Sequence, residues 1–231
     1  MQRTPSNGIS LKKSTLHPKV SISLPTSKSI SNRALIISAL CEKESNLHNL
    51  SSARDTQTMQ RLIQSDQAVL DVLDAGTTMR FLCAYLTATN QHKTLTGTPR
   101  MQQRPIGILT DALKELGADI SFKSKPGYPP LEIKGFEQQT NKLSVRGDVS
   151  SQYISALLMI APTLPKGLTL TLKGHVGSRP YIEMTLKIMQ QFGVTHQWVD
   201  HVIEIKPQAY QATTFTVEGD WSGASYWYSF V

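Results

Sequence analysis

Three aspartates at a near-constant spacing constrain this chain more than any other feature. Asp74, Asp148 and Asp220 lie 74 and 72 residues apart. Asp74-Ala75-Gly76-Thr77-Thr78 leads into an apolar stretch through Leu86, Gly147-Asp148-Val149-Ser150-Ser151 into another through Ile160, and Gly219-Asp220-Trp221-Ser222-Gly223 into a third. A second landmark keeps the same beat. Arg104-Pro105-Ile106 and Arg179-Pro180-Tyr181-Ile182 stand 75 residues apart, and the glycines closing their stretches, Gly117 and Gly193, stand 76 apart. Repetition at such a period means one supersecondary unit used several times, each burying its apolar face on its neighbours.

The landmarks define the elements. Proline belongs in the first turn of a helix, where its missing N–H is not needed, and glycine belongs just past the last turn. Ile106, Leu109, Leu113 and Leu116 form one apolar stripe, and Ile182, Leu186 and Met189 the other. Short alternating strands are predicted at Lys19–Leu24, Ile120–Lys123, Leu131–Lys134, Lys142–Val145, Leu168–Leu172 and Val202–Ile205. Each repeat reads as helix, strand, proline-started helix and two strands, an α/β unit with helices packed inside a shell of sheets. A nucleotide-binding reading fails, because neither G-x-G-x-x-G after a strand nor G-x-x-x-x-G-K-[ST] occurs.

Lysine and arginine number 24 against 17 acids, a net charge of +7. This suits a polyanion or a compact anion. No run of five like charges occurs, and many of the cations stand singly beside Ser, Thr and Gly, as at Lys28, Arg33, Arg80 and Arg104. That spacing favours a small anion over nucleic acid. Cys41 and Cys83 lie in apolar helical patterns and read as buried, reduced thiols, and the six histidines show no metal-ligand spacing. No metal or cofactor is expected. The polar N-terminus lacks a signal-peptide core, and the longest apolar run, Ile154–Leu164, is too short for a membrane span. A cytoplasmic protein with no membrane partner is the expectation. The apolar stretch through Tyr226-Trp227-Tyr228-Ser229-Phe230-Val231 needs a covering surface, so the chain reads as a piece of something longer.

Five segments carry anion chemistry. Pro25-Thr26-Ser27-Lys28-Ser29-Ile30-Ser31-Asn32-Arg33 opens a helix, whose first turn offers free N–H groups and a positive dipole end. Arg33 stands one turn after Ser29. In Asp74-Ala75-Gly76-Thr77-Thr78-Met79-Arg80, Gly76 lets a ligand approach the backbone. Thr96–Pro105 holds Arg100 and Arg104, four residues apart before a helix. Ser150-Ser151-Gln152-Tyr153 and Gly177-Ser178-Arg179-Pro180-Tyr181 supply neutral donors. Singly, each has an ordinary alternative: a serine-capped helix, a tight-turn glycine, a solvated basic loop. Five together, at repeated positions, point to binding.

PTSKSISNRAL, DAGTTMR, LTGTPRMQQRPIG, DVSSQYISALLM, GSRPYIEMTL and VEGDWSGASY together resemble the EPSP synthase family of enolpyruvyl transferases, in the family's order and from about Val20 to the last residue. The resemblance implies an α/β fold of repeated βαβαββ units, an inverse α/β-barrel-type domain. In that layout residues 1–24 and 218–231 belong to a second, discontinuous domain, and 25–217 form the substrate-binding repeat domain. The implied activity moves the enolpyruvyl group of phosphoenolpyruvate to the 5-hydroxyl of shikimate 3-phosphate and releases phosphate, in a monomeric full-length enzyme. Carried over residue by residue, Lys28, Ser29, Arg33, Ser150, Ser151, Gln152, Ser178 and Tyr181 would hold shikimate 3-phosphate. Lys28, Gly76, Arg104 and Gln152 would face phosphoenolpyruvate, with Arg100 nearby and Lys28 acting electrostatically.

The resemblance also marks departures. Asp74 stands where the family usually has asparagine, and an unpaired anion there would oppose phosphoenolpyruvate. Thr78 and Phe81 replace the usual alanine and proline, positions that bear on sensitivity to the inhibitor glyphosate. The stretch between Ile63 and Asp74 is much shorter than in typical members, so the first repeat is expected to lack a strand pair. The family's acid–base aspartate and glutamate have no counterpart in these 231 residues, which are expected to bind without turnover. Two alternatives are a UDP-N-acetylglucosamine enolpyruvyl transferase, disfavoured by the lack of cysteine in Thr96–Pro105, and a non-catalytic anion-binding module.

Overall fold

Two kinds of helix alternate along the chain, and their burial explains the architecture. The computed structural model describes residues 21–229. In chain order the elements are α1 (Lys28–Ala39), β1 (Asn46–His48), α2 (Arg54–Ile63), β2 (Val69–Asp71), α3 (Gly76–Ala88), β3 (Lys93–Thr96), α4 (Gly107–Leu116), β4 (Ala118–Phe122), β5 (Leu131–Phe136), β6 (Lys142–Arg146), α5 (Ser151–Ile160), β7 (Leu168–Lys173), α6 (Arg179–Gln191), β8 (Gln197–Val199), β9 (Val202–Ile205), β10 (Thr214–Thr216) and α7 (Trp221–Tyr228). In α1, α3 and α5 the buried residues run nearly all the way round the helix, which places these three at the centre. They touch one another, while α2, α4 and α6 fill the gaps between them and present one apolar face inward.

Two four-stranded sheets cover this bundle with identical order, β2-β3-β5-β4 and β6-β7-β9-β8. In each, the first two strands pair in parallel and the rest antiparallel. The parallel pair embraces a central helix and the antiparallel strands follow the outer one, so the unit is βαβαββ, as expected. The third unit is split in sequence. Residue 46 of β1 pairs in parallel with residue 214 of β10, and among the described residues this sheet has two strands. The expected loss of a strand pair after α2 is therefore a feature of the fold: α2 ends at Ile63 and β2 begins at Val69, with no antiparallel pair between them.

Several expectations need correction. The strand expected at Lys19–Leu24 is absent over residues 21–24, where Ile22 and Leu24 are exposed and have no surface to alternate against; residues 19 and 20 lie outside the described residues. Only Thr26 forms a bridge, to Gly219. Pro105 is not in the first turn of α4, because Ile106 caps that helix and Gly107 opens it, whereas Pro180 does occupy the first turn of α6. Cys41 lies just past α1 and is half-buried; Cys83 is buried inside α3, and both thiols are free. The strands β1, β2, β8 and β10 escape the alternation signal because each has only three residues, and β3 because Lys93-Thr94-Leu95-Thr96 holds a single large apolar residue. The glycine stops hold: Gly117 caps α4 in the left-handed region at φ 117°, and Gly193 follows α6 at φ 83°.

Candidate functional site

The first turns of the three central helices meet at one end of the bundle, and side-chain bonds fix the meeting. Gln152 Nε2 at the start of α5 donates to Thr77 Oγ1 at the start of α3, at 3.1 Å. Thr78 Oγ1 donates to the Asp55 carbonyl in the first turn of α2, at 3.1 Å, and Lys28 Nζ at the start of α1 lies 3.5 Å from Asp55 Oδ2. Helix N-termini carry free N–H groups and partial positive charge, so their convergence creates an environment favourable to negative charge. The caps are local: Ser27 Oγ accepts from Ile30 N, and Ser150 Oγ from Gln152 N, each at 3.4 Å.

Arg33 is the centre of this end. It is 2 % exposed, and its three donor nitrogens go to neutral oxygens: Nε to Thr185 Oγ1 at 2.7 Å, Nη1 to the Ser29 carbonyl at 2.9 Å, and Nη2 to Ser155 Oγ at 2.9 Å. Its guanidinium lies 5.3 Å from the Phe81 ring centroid and 6.0 Å from that of Tyr181. Burial pushes its pKa down to about 10, against a smaller opposing effect of Tyr181. Among the described residues no carboxylate pairs with Arg33, Arg80 or Arg104. These cations thus face one end of the bundle without counter-charge.

The second group surrounds the start of α3. The Arg104 guanidinium lies so close over Gly76 that a Cβ there would stand 2.4 Å from Nη1. Arg104 Nη1 also reaches the Asp74 carbonyl at 3.4 Å. The Asp74 carboxylate turns the other way and accepts from Thr98 Oγ1. The carboxylate is thus hydrogen-bonded within the arginine-bearing loop, while its charge has no cationic partner among the described residues. Arg100 is exposed and opens a short 3-10 turn over Met101–Gln103. The residues named from sequence thus fall into two neighbouring groups joined by Gln152: Lys28, Ser29, Arg33, Ser150 and Ser151 at α1 and α5, and Gly76, Arg104 and Asp74 at α3. Tyr181 joins the first group from α6, where Thr185 accepts from Arg33 and donates to the Tyr181 carbonyl at 2.8 Å. Ser178 precedes α6 but makes no capping bond, so capping does not account for its hydroxyl.

Some participants were missed. Asp55 stands opposite Lys28; an acid in the first turn of an unrecognised helix was the available signal. Ser155 and Thr185, both buried, accept from Arg33 and bond each other at 2.8 Å. Arg80 was noted only as a lone cation, yet it is 7 % exposed and its guanidinium lies 5.1 Å from the Tyr153 ring centroid. Thr78 and Phe81 are buried beneath the site. Among the described residues no helix is long and apolar enough to cross a membrane.

Fold and site together define a domain of repeated βαβαββ units built round three buried helices whose starts gather cations and hydroxyls. The structure superimposes on an EPSP synthase from Acinetobacter baumannii with a TM-score of 0.77 at 20 % identity, over 89 % of this chain and 51 % of that one, a likeness of fold. The family model for EPSP synthase (3-phosphoshikimate 1-carboxyvinyltransferase) matches residues 13–65 and 58–231, and the chain belongs to this family. The break in the match falls where the strand pair is absent. A 3-phosphoshikimate 1-carboxyvinyltransferase from Bacteroides fragilis is 54 % identical over 211 residues, 91 % of this chain and 52 % of the relative. One from Shewanella loihica is 39 % identical over 234 residues, 89 % of this chain and 55 % of the relative. The chain spans about half the length of these curated relatives.

Proposed function

We propose that this chain supplies the shikimate 3-phosphate-binding wall of an enzyme that transfers the enolpyruvyl group of phosphoenolpyruvate to the substrate's 5-hydroxyl and releases phosphate. The observation that carries the reading is the meeting of three helix starts with Lys28, Arg33 and Arg104 at one end of the bundle. There a phosphate and a carboxylate can replace the weak Asp55 contact and share the unpaired cations. A half-exposed pair such as Lys28–Asp55 is worth about 0–1 kcal/mol and yields easily to a better anion.

In this reading Arg33, Ser29, Ser150, Ser151, Gln152, Ser178 and Tyr181 hold shikimate 3-phosphate. Phosphoenolpyruvate lies over Gly76, between Arg104, Gln152 and Lys28, with Arg100 at the rim. Holding two anions side by side is itself catalytic work, because it replaces an encounter between like charges with a fixed geometry. The proton-transfer groups lie outside these residues, so the chain alone binds without turnover. The names of its relatives favour this substrate over a nucleotide sugar. The reading carries with it a cytoplasmic setting, a monomeric full-length enzyme, glyphosate as an inhibitor at the phosphoenolpyruvate position, and a second domain to which residues 1–24 and 218–231 belong. The exposed Trp221, Tyr226 and Tyr228 of α7 support that last element.

Calorimetric titration of shikimate 3-phosphate into the chain tests the reading. Saturable binding, weakened at least tenfold in Lys28→Ala, is expected. Absence of binding by the native chain at millimolar ligand would overturn it.

A further inference from the structure

Arg80 carries a buried cost at this end of the molecule that folding alone does not explain. It is 7 % exposed, has no carboxylate partner among the described residues, and its Nε has no hydrogen-bond partner. A buried charge with an unmet donor destabilises a fold, and such groups concentrate where function requires them. The remaining contacts indicate what it does. Nη1 donates to the Gly76 carbonyl at 2.9 Å, and Nη2 to the Pro105 carbonyl at 3.2 Å. The guanidinium lies over the ring of Tyr153, whose hydroxyl donates to the same Pro105 carbonyl at 2.8 Å.

We infer that Arg80 is a positioning residue that locks together the three segments facing phosphoenolpyruvate. Each contact is one residue or none from a position in that group: Gly76 itself, Pro105 next to Arg104, and Tyr153 next to Gln152. None of its contacts is to Ser29, Ser178 or Tyr181. Arg33 makes the same bond to the carbonyl four residues back, at Ser29, but ties α1 to α5 and α6 through Ser155 and Thr185. The two buried arginines therefore divide the site, Arg33 bracing the shikimate 3-phosphate side and Arg80 the phosphoenolpyruvate side. A planar fork can reach two carbonyls while lying flat on a ring, and an ammonium cannot.

This inference rests on the substrate assignment proposed above, and Arg80→Lys separates the two. Amide hydrogen exchange on the free chain is expected to speed up at least tenfold at Arg104 and Ile106 and to stay unchanged at Leu170 in β7. Titrations are expected to show shikimate 3-phosphate affinity falling less than fivefold, through Gln152, which serves both ligands. Phosphoenolpyruvate affinity, measured with shikimate 3-phosphate bound, is expected to fall at least tenfold. Unchanged or uniformly faster exchange would overturn the inference, as would equal losses for both ligands. A native chain that ignores both ligands would instead overturn the substrate assignment, leaving exchange to decide the coupling. Should Arg80→Lys fail to fold, Tyr153→Phe, which keeps the ring and removes only the Pro105 bond, is judged by the same criteria with smaller shifts.

Discussion

Arg33 Nη2 donates to Ser155 Oγ at 2.9 Å across 122 residues of sequence, and no carboxylate balances the charge. Hydrogen bonds to charged groups contribute about 1.5–3 kcal/mol, so Ser155→Ala is expected to lower stability by about 2 kcal/mol in urea unfolding. Arg33→Met should behave differently. Ser155 and Thr185 keep their own 2.8 Å bond, and an unpaired buried cation is replaced by an apolar chain of similar length. Stability is expected to hold or rise while shikimate 3-phosphate binding is lost. A large drop in the unfolding midpoint of Arg33→Met would show that the cation serves the fold.

Two glycines should respond to alanine in opposite ways. At Gly76 a Cβ would meet the end of the flexible Arg104 side chain at 2.4 Å, which can swing aside. Gly76→Ala is expected to keep native stability within about 1 kcal/mol and to weaken phosphoenolpyruvate binding at least tenfold in titrations. At Gly117 the backbone is left-handed at φ 117°, and a Cβ would stand 1.9 Å from the Glu137 carbonyl oxygen. Gly117→Ala is expected to lose about 3 kcal/mol or more, read as a fall in urea midpoint or in soluble yield.

Stability should fall in alkali with a definite pattern. Burial pushes the Cys83 thiol up to about 12 and Tyr210 well above the usual tyrosine range. Both stay neutral in the folded chain where the unfolded chain ionises, so the stabilisation is complete below pH 9.0 for Cys83 and below pH 10.0 for Tyr210, and is lost as pH rises beyond those values. Each fully separated group contributes a slope of about 1.4 kcal/mol per pH unit. Arg33 has the opposite sign: its folded value of about 10 lies below the unfolded one, so stability returns above that point. Urea midpoints should therefore drop between pH 9 and 10, less so in Cys83→Ala. Above pH 10 the drop should steepen in Arg33→Met.

The two thiols should also differ in reactivity. Cys83 is fully buried in α3, whereas Cys41 is half-buried beyond α1 with Sγ 3.3 Å from the Ile37 carbonyl. A thiol reagent at neutral pH is expected to titrate Cys41 first and Cys83 only after denaturant is added. Simultaneous reaction would mean that α3 opens in the native state.

Much of the layout was legible because punctuation residues mark it. The Asp-led turns before α3, α5 and α7, Pro180 in the first turn of α6 and the glycines after α4 and α6 are local signals, and local geometry decides them. The β1–β10 pairing was not legible, since three-residue strands carry no alternation and their partners lie 168 residues apart. The site divided the same way. Lys28, Ser29, Gly76 and Gln152 could be read from helix starts and from resemblance. Asp55, Ser155, Thr185 and the role of Arg80 could not, because each acts through a side-chain bond between elements distant in sequence. Pro105 looked like a helix starter and instead offers its carbonyl to Arg80 and Tyr153, a use that only the packed structure reveals.

The split unit sets an order of assembly during synthesis. The helix bearing Lys28 and Arg33 is made first, yet the strand beside β1 arrives only with Thr214–Thr216. The two contiguous units between Val69 and Ile205 can each close their sheets as they leave the ribosome. The strand that follows the Lys28 helix must wait, its pairing edge open, until residues 214–216 have emerged. A nascent chain thus keeps the pairing edge of β1 open to chaperones while the two contiguous units beyond it are already closing.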